Sequence, residues 1–178
     1  MNIKNFIIIS MLILVSTGCA TTLKGPIYKP ADITPGDKAI IYLYWTDTAD
    51  ENAKKIEYMI QANKKYVTQM VYGGYYQIIC APETDFEDVE ISSHVTFKPM
   101  IVGILDIPLA PTNKLTLSVQ RGKVYFVRCN FTGTPGFPYT YGLSMRLIPD
   151  EKIANHDISE AKLLPEYVAT KQNEMKEN

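Results

Sequence analysis

KLTLSVQRGKVYFVRCNF, Lys114 to Phe131, decides the fold class. In its first half Leu115, Leu117 and Val119 fall on one side of an extended chain, and Thr116, Ser118 and Gln120 on the other. Strict alternation of this kind is the mark of a half-buried strand. Arg121-Gly122-Lys123 then supplies turn chemistry, and VYFVRCNF resumes with β-branched and aromatic residues. Outward from this stretch the same texture repeats. AIIYLYW (Ala39–Trp45) is apolar throughout, as expected of a strand covered on both faces or of a core strand with a tyrosine-rich rim. IEYMIQA leads through Asn63-Lys64-Lys65, a hairpin-type turn, into YVTQMVY. Gly73-Gly74 reads as a tight turn between two paired strands, the second being YYQIICA. DVEISSHV and YGLSMRLI complete the series, the latter with Leu143, Met145 and Leu147 in phase. Seven or eight short strands, mostly at antiparallel-hairpin spacing, predict an all-β, immunoglobulin-like antiparallel β-sandwich, since each strand buries one face and needs a second sheet to cover it. Weak helix-start patterns at Ser159 and Pro165 predict a short C-terminal helix or tail.

Ahead of the strands, Lys4, an apolar run from Phe6 to Val15, and Ser16-Thr17-Gly18-Cys19 follow the order of an export signal. The apolar run is too short to span a bilayer, which takes about 20 residues. Its end resembles the lipobox of bacterial lipoproteins, in which cleavage precedes a cysteine that is then acylated. Gly18 and Cys19 match, whereas Ser16 stands where leucine is usual. The alternative is an ordinary secretory signal cut nearby. The resulting division is a signal peptide over 1–18, a lipidated proline-rich tether over 19–37, a sandwich over 38–164 and a tail over 165–178. Pro26, Pro30 and Pro35 make the tether extended, and able to hold the domain a few nanometres off the bilayer.

Four stretches, GPIYKP, GDKAIIYLYW, GGYYQIICAP and RGKVYFVRCNF, together with YGLSMRLIPDEKI and SEAKLL, resemble a family of uncharacterised bacterial lipoproteins. That family carries one small β-domain of immunoglobulin-like or carboxypeptidase-regulatory-like appearance. The resemblance covers about Gly25 to Leu164 and implies an envelope lipoprotein; it brings no catalytic residues. Thr96 to Asn113 departs from it, being longer and more apolar than the expected connection.

Candidate chemistry is sparse. The formal net charge of −1 and the lack of a polybasic block argue against nucleic acid. Besides Cys19, only Cys80 and Cys129 remain. Each shares strand parity with apolar neighbours, so they form either a disulfide or two separate buried thiols. A bond would close a loop of about 50 residues and add roughly 3–4 kcal/mol in the chain-entropy model. His94 and His156 stand far apart and outside any ligand cluster, which gives no metal site. Ser144 follows Gly142 but lacks the second glycine of a nucleophile elbow, and reads as an outward strand serine. Glu83, Asp85, Glu87, Asp88 and Glu90 lack the ordered spacing of a calcium loop and read as a solvated edge. Nothing in the motif content calls for a cofactor.

PMIVGILDIPLAP, Pro99 to Pro111, is apolar and broken by prolines. Met100, Ile101, Val102, Ile104, Leu105, Ile107 and Leu109 offer either an exposed partner surface or a long connection packed over one end of the sandwich. The expectation is a non-enzymatic binding or structural module in an envelope assembly. Its contacts are the membrane through Cys19 and an envelope protein or glycan. Ala20 after the cysteine points to the outer membrane, facing the periplasm. The alternatives are a carrier of a small ligand or lipid within the sandwich, and an enzyme with an unrecognised site.

Overall fold

A computed structural model describes residues 23–29, 35–48, 51, 53–95, 113–134 and 140–166. The strands are β1 (Ala39–Trp45), β2 (Tyr58–Ala62), β3 (Lys65–Met70), β4 (Gly74–Cys80), β5 (Phe86–Val95), β6 (Asn113–Gln120), β7 (Val124–Thr134), β8 (Thr140–Ile148) and the two-residue β9 (Lys162–Leu163). Among the described residues a 3-10 turn at Ala53–Lys55 precedes β2, and one α-helix, α1 (Glu151–Ile158), precedes β9. The strands form two sheets, in the orders β8-β7-β1-β4-β9 and β3-β2-β5-β6. The chain is therefore an all-β sandwich, with the helix packed outside the five-stranded sheet.

β1 is the centre of that sheet and is covered on both sides. Ala39, Ile41, Leu43 and Trp45 point between the sheets, where they meet Tyr58, Ile60, Val89, Ile91 and Val119. Tyr42 and Tyr44 point the other way, into a second apolar layer with Tyr28, Tyr75 and Phe126 that α1 closes with Ala154 and Ile158. Burying one such side chain contributes ~1.5–3 kcal/mol, so a strand with two apolar faces needs two layers of cover.

Two turns act as switches between sheets. Gly73-Gly74 does not join two paired strands: β3 lies in the four-stranded sheet, while β4 pairs antiparallel with β1 from Trp45↔Gly74 to Ala39↔Cys80. Gly73, at φ 78°, donates its N–H to the Trp45 carbonyl at 2.8 Å, which seats the turn on β1. Likewise the Gly122 turn carries the chain from β6 to β7, and β7 pairs with β1 in parallel. The first sheet is thus mixed, since β4 and β9 are also parallel. By contrast, the hairpin at Asn63-Lys64 joins β2 and β3 as expected, with φ of 48° and 67° at the two turn residues.

The two ends of the domain differ from the sequence expectation. The helix does not start at Ser159: it runs over Glu151–Ile158, with Asp150 as N-cap accepting from Lys152 N at 2.9 Å and Ile153 N at 3.2 Å, and Ser159 ends it. Nor do all of residues 19–37 form a free tether. Leu23 to Lys29 lie on the fold as a strap: Ile27 bridges Lys162, Tyr28 N donates to the Ala161 carbonyl at 3.1 Å, and Leu163 N donates to the Pro26 carbonyl at 2.9 Å. Tyr28 is buried, with its ring edge-on to Tyr42 at 5.3 Å and to Tyr75 at 5.6 Å. A Cβ at Gly25 would fall on the Leu163 carbonyl. Gly25→Ala is therefore expected to lower stability by ~1–3 kcal/mol in urea unfolding, the usual range for overpacking, and to open the strap to proteolysis ahead of the sandwich.

Candidate functional site

The helix C-terminus, the residues that follow β1 and β3, and Arg128 in the middle of β7 line a cleft of about 490 Å³. Its floor is an ion pair. Arg128 projects from β7 on the helix side and its Nη1 lies 3.1 Å from Asp157 Oδ2. The Tyr44 hydroxyl donates toward the same oxygen at 3.4 Å. Asp157 sits in the last turn of α1, the negative end of the helix dipole, where a carboxylate is disfavoured unless a cation offsets it. Arg128 provides that cation, half-buried, and its Nε is buried with no hydrogen-bond partner among the described residues. Asp47, Glu160 and His156 complete the polar wall. Three carboxylates against one guanidinium favour a hydrogen-bond-donating or cationic group over an anion. Ser159 offers no nucleophile here, because its hydroxyl donates to the His156 backbone carbonyl at 2.8 Å and closes the helix.

A second, smaller cleft of about 230 Å³ lies along the strap, lined by Tyr28, Tyr42, Tyr75 and Gln77. Three of its polar groups are engaged: Gln77 Nε2 donates to the Tyr42 hydroxyl at 2.9 Å, and the Tyr28 hydroxyl donates to Asn155 Oδ1 at 2.5 Å.

On the outer face of the four-stranded sheet, Ser92 and His94 stand two residues apart on β5, opposite Gln61 of β2. His94 Nε2 is 3.2 Å from Gln61 Oε1 and 3.4 Å from Ser92 Oγ. The amide oxygen only accepts, so Nε2 carries the proton and donates to it. The same nitrogen then cannot take a proton from Ser92, and the pair is not a nucleophile with its base. Burial first, and the Lys114 ammonium second, hold this imidazole below its ordinary pKa.

The two thiols are free and do not form a disulfide. Cys80 pairs with Ala39 at one end of β1, whereas Cys129 follows Arg128, the partner of Tyr44, at the other. That separation is about 20 Å along the strand, against the ~7 Å a bond allows. The expectation that both side chains meet apolar surroundings holds: Cys129 is fully buried in the core and Cys80 is half-buried against it. The acidic edge is engaged in part, with Glu90 paired to Lys114 at 3.1 Å and the Pro82 and Glu83 carbonyls held by Arg121 at 2.8 and 2.9 Å. Among the described residues, no group of three or more His, Cys, Asp or Glu side chains could hold a metal ion. Ser144 donates to the Asn130 carbonyl of the neighbouring strand at 3.2 Å.

Cys19, Met100, Ile101, Val102, Ile104, Leu105, Ile107 and Leu109 lie outside the described residues. The Arg128–Asp157 pair was not singled out from sequence. Its one signal is a charged residue within the apolar run VYFVRCNF, while nothing near Asp157 indicates its partner.

No family model, no curated protein and no solved structure matches the chain. The functional reading therefore rests on the residues themselves.

Two measurements test the site. Burial pushes both thiols up, Cys80 additionally through Glu87. Peptide mapping without reductant should find no Cys80–Cys129 link, and Cys129 should react with a thiol reagent only on unfolding. Tyr28 and Tyr44 are raised far above the usual phenol value, first by burial and then by neighbouring charge and hydroxyls, Asp157 leading at Tyr44. Each then ionises at higher pH in the fold than in the unfolded chain, where the value is about 10. Their stabilising effect is complete below pH ~10 and is lost as the pH rises beyond it. The urea midpoint should fall with rising alkalinity above that point, and Tyr44→Phe should reduce the slope.

Proposed function

We propose that the protein is a lipid-anchored lipoprotein of the bacterial cell envelope, held at the outer membrane and facing the periplasm. Its sandwich acts as a binding or structural module in an envelope assembly. The observation that carries this reading is the stretch from Lys4 to Cys19, with its short apolar run and its Gly18-Cys19 end. Two or three acyl chains on Cys19 would hold the domain firmly, since each buried methylene contributes ~0.8 kcal/mol. The resemblance of the segments between Gly25 and Leu164 to lipoprotein β-domains agrees with it.

The packing favours docking over carriage. The space between the sheets is occupied by fully buried side chains, among them Trp45, Tyr58, Ile60 and Met70. A carrier needs an apolar chamber of roughly 300 Å³ or more. The larger cleft instead lies outside the sheets, at one end of the sandwich, with charged walls. Among the described residues no helix is long and apolar enough to cross a membrane.

Replacing the acceptor tests it. Cys19→Ala should move the protein from the membrane pellet to the soluble fraction of cells, and an unchanged membrane distribution would refute the anchor.

A further inference from the structure

The strap alters the geometry of attachment. Sequence alone allows a long tether, but the fold already holds Leu23, whose carbonyl accepts from Lys162 Nζ at 3.2 Å and whose side chain packs against the core beside Gly73. Only Ala20, Thr21 and Thr22 separate it from Cys19. Even fully extended, those steps reach about 14 Å.

Strand register shows which part of the domain this short reach brings to the lipid. Leu23 is beside Gly73, and Gly74 pairs with Trp45, the last residue of β1. Trp45 in turn packs its ring edge-on to Tyr58, the first residue of β2, and to Tyr72. β3 ends here at Met70, paired with Tyr58, and β5 ends here at Val95, also paired with Tyr58. The opposite end holds Ala39, Cys80 and the Gly122 turn, whose N–H donates to the Lys38 carbonyl at 2.8 Å. β1 alone separates the two ends by about 20 Å.

We propose that the end of the sandwich built on Leu23, Trp45, Tyr72 and Gly73 faces the lipid bilayer, and that the Arg128–Asp157 cleft opens toward the headgroup layer. This rests on the lipoprotein reading above. Charge does not set the orientation, because Asp47 and Glu160 at this end oppose Arg128 and Lys162. Surface attraction to anionic lipid requires a basic cluster. The short chain to Cys19 sets it instead. A consequence is that any group bound in the cleft is met at the membrane surface, while the Lys64 and Lys123 turns point away from it.

The test uses the full lipidated protein with Cys80→Ser, labelled with a fluorophore at either Asp47→Cys or Lys123→Cys. It is reconstituted in phosphatidylethanolamine/phosphatidylglycerol vesicles carrying a nitroxide headgroup lipid. Quenching at position 47 should exceed that at 123 several-fold. A Gly/Ser insert of about 20 residues between Thr22 and Leu23, spanning ~25 Å, should erase the difference while the protein still pellets with the vesicles. Equal quenching at the two positions without the insert, or stronger quenching at 123, in protein that pellets would overturn the orientation alone. Protein that fails to pellet would overturn the anchor, and the orientation with it.

Discussion

The burial of β1 on both faces is the constraint on which the other elements depend. A strand with Ile41, Leu43 and Trp45 on one side and Tyr42 and Tyr44 on the other cannot serve as an ordinary sandwich strand with one wet face. The four-stranded sheet covers the first side. The second side needs its own layer, and the chain supplies it from both of its ends, with Tyr28 from before the sandwich and α1 from after it. The parallel pairing of β1 with β7, the sheet-switching turns and the strap can all be understood as ways of placing this strand at the centre.

Much of this architecture is legible in the residues. Alternation at Leu115, Leu117 and Val119 orients β6 correctly, since Leu117 and Val119 are buried and Thr116 and Ser118 exposed. Asn63-Lys64 reveals a hairpin because its backbone conformation is encoded by the two turn residues alone. Gly73-Gly74 misleads for a related reason. Glycine reports that the chain turns, not which partner it turns toward, and that choice belongs to β1, nearly thirty positions earlier. Leu147 shows another limit: its phase matches Leu143, but β8 carries it to the rim, where it is partly exposed. The strap is hidden because Pro26, Pro30 and Pro35 look like linker chemistry, and the short C-terminal helix is misplaced toward Ser159 because its eight residues begin at the Asp150 cap.

The candidate cleft was less legible than the fold. Arg128 and Asp157 come from a strand and a helix, and their pairing is settled only when α1 packs across β7. His94 illustrates the reverse case. Its neighbours Ser92 and Gln61 make a polar group that suggests catalysis by composition, yet the direction of one hydrogen bond removes the base. Residue identity supplies the candidates, and donor and acceptor directions decide among them.

The strap and β9 clasp the two ends of the described chain, joining Leu23 to Lys162 across 139 positions. Viewed as a mechanical part, this clasp lies first in line for any tension on the residues before Leu23. A pull there meets the hydrogen bonds to Lys162, Leu163 and Ala161 before it can reach β1. The strap could therefore yield as a sacrificial length of chain while the sandwich stays folded.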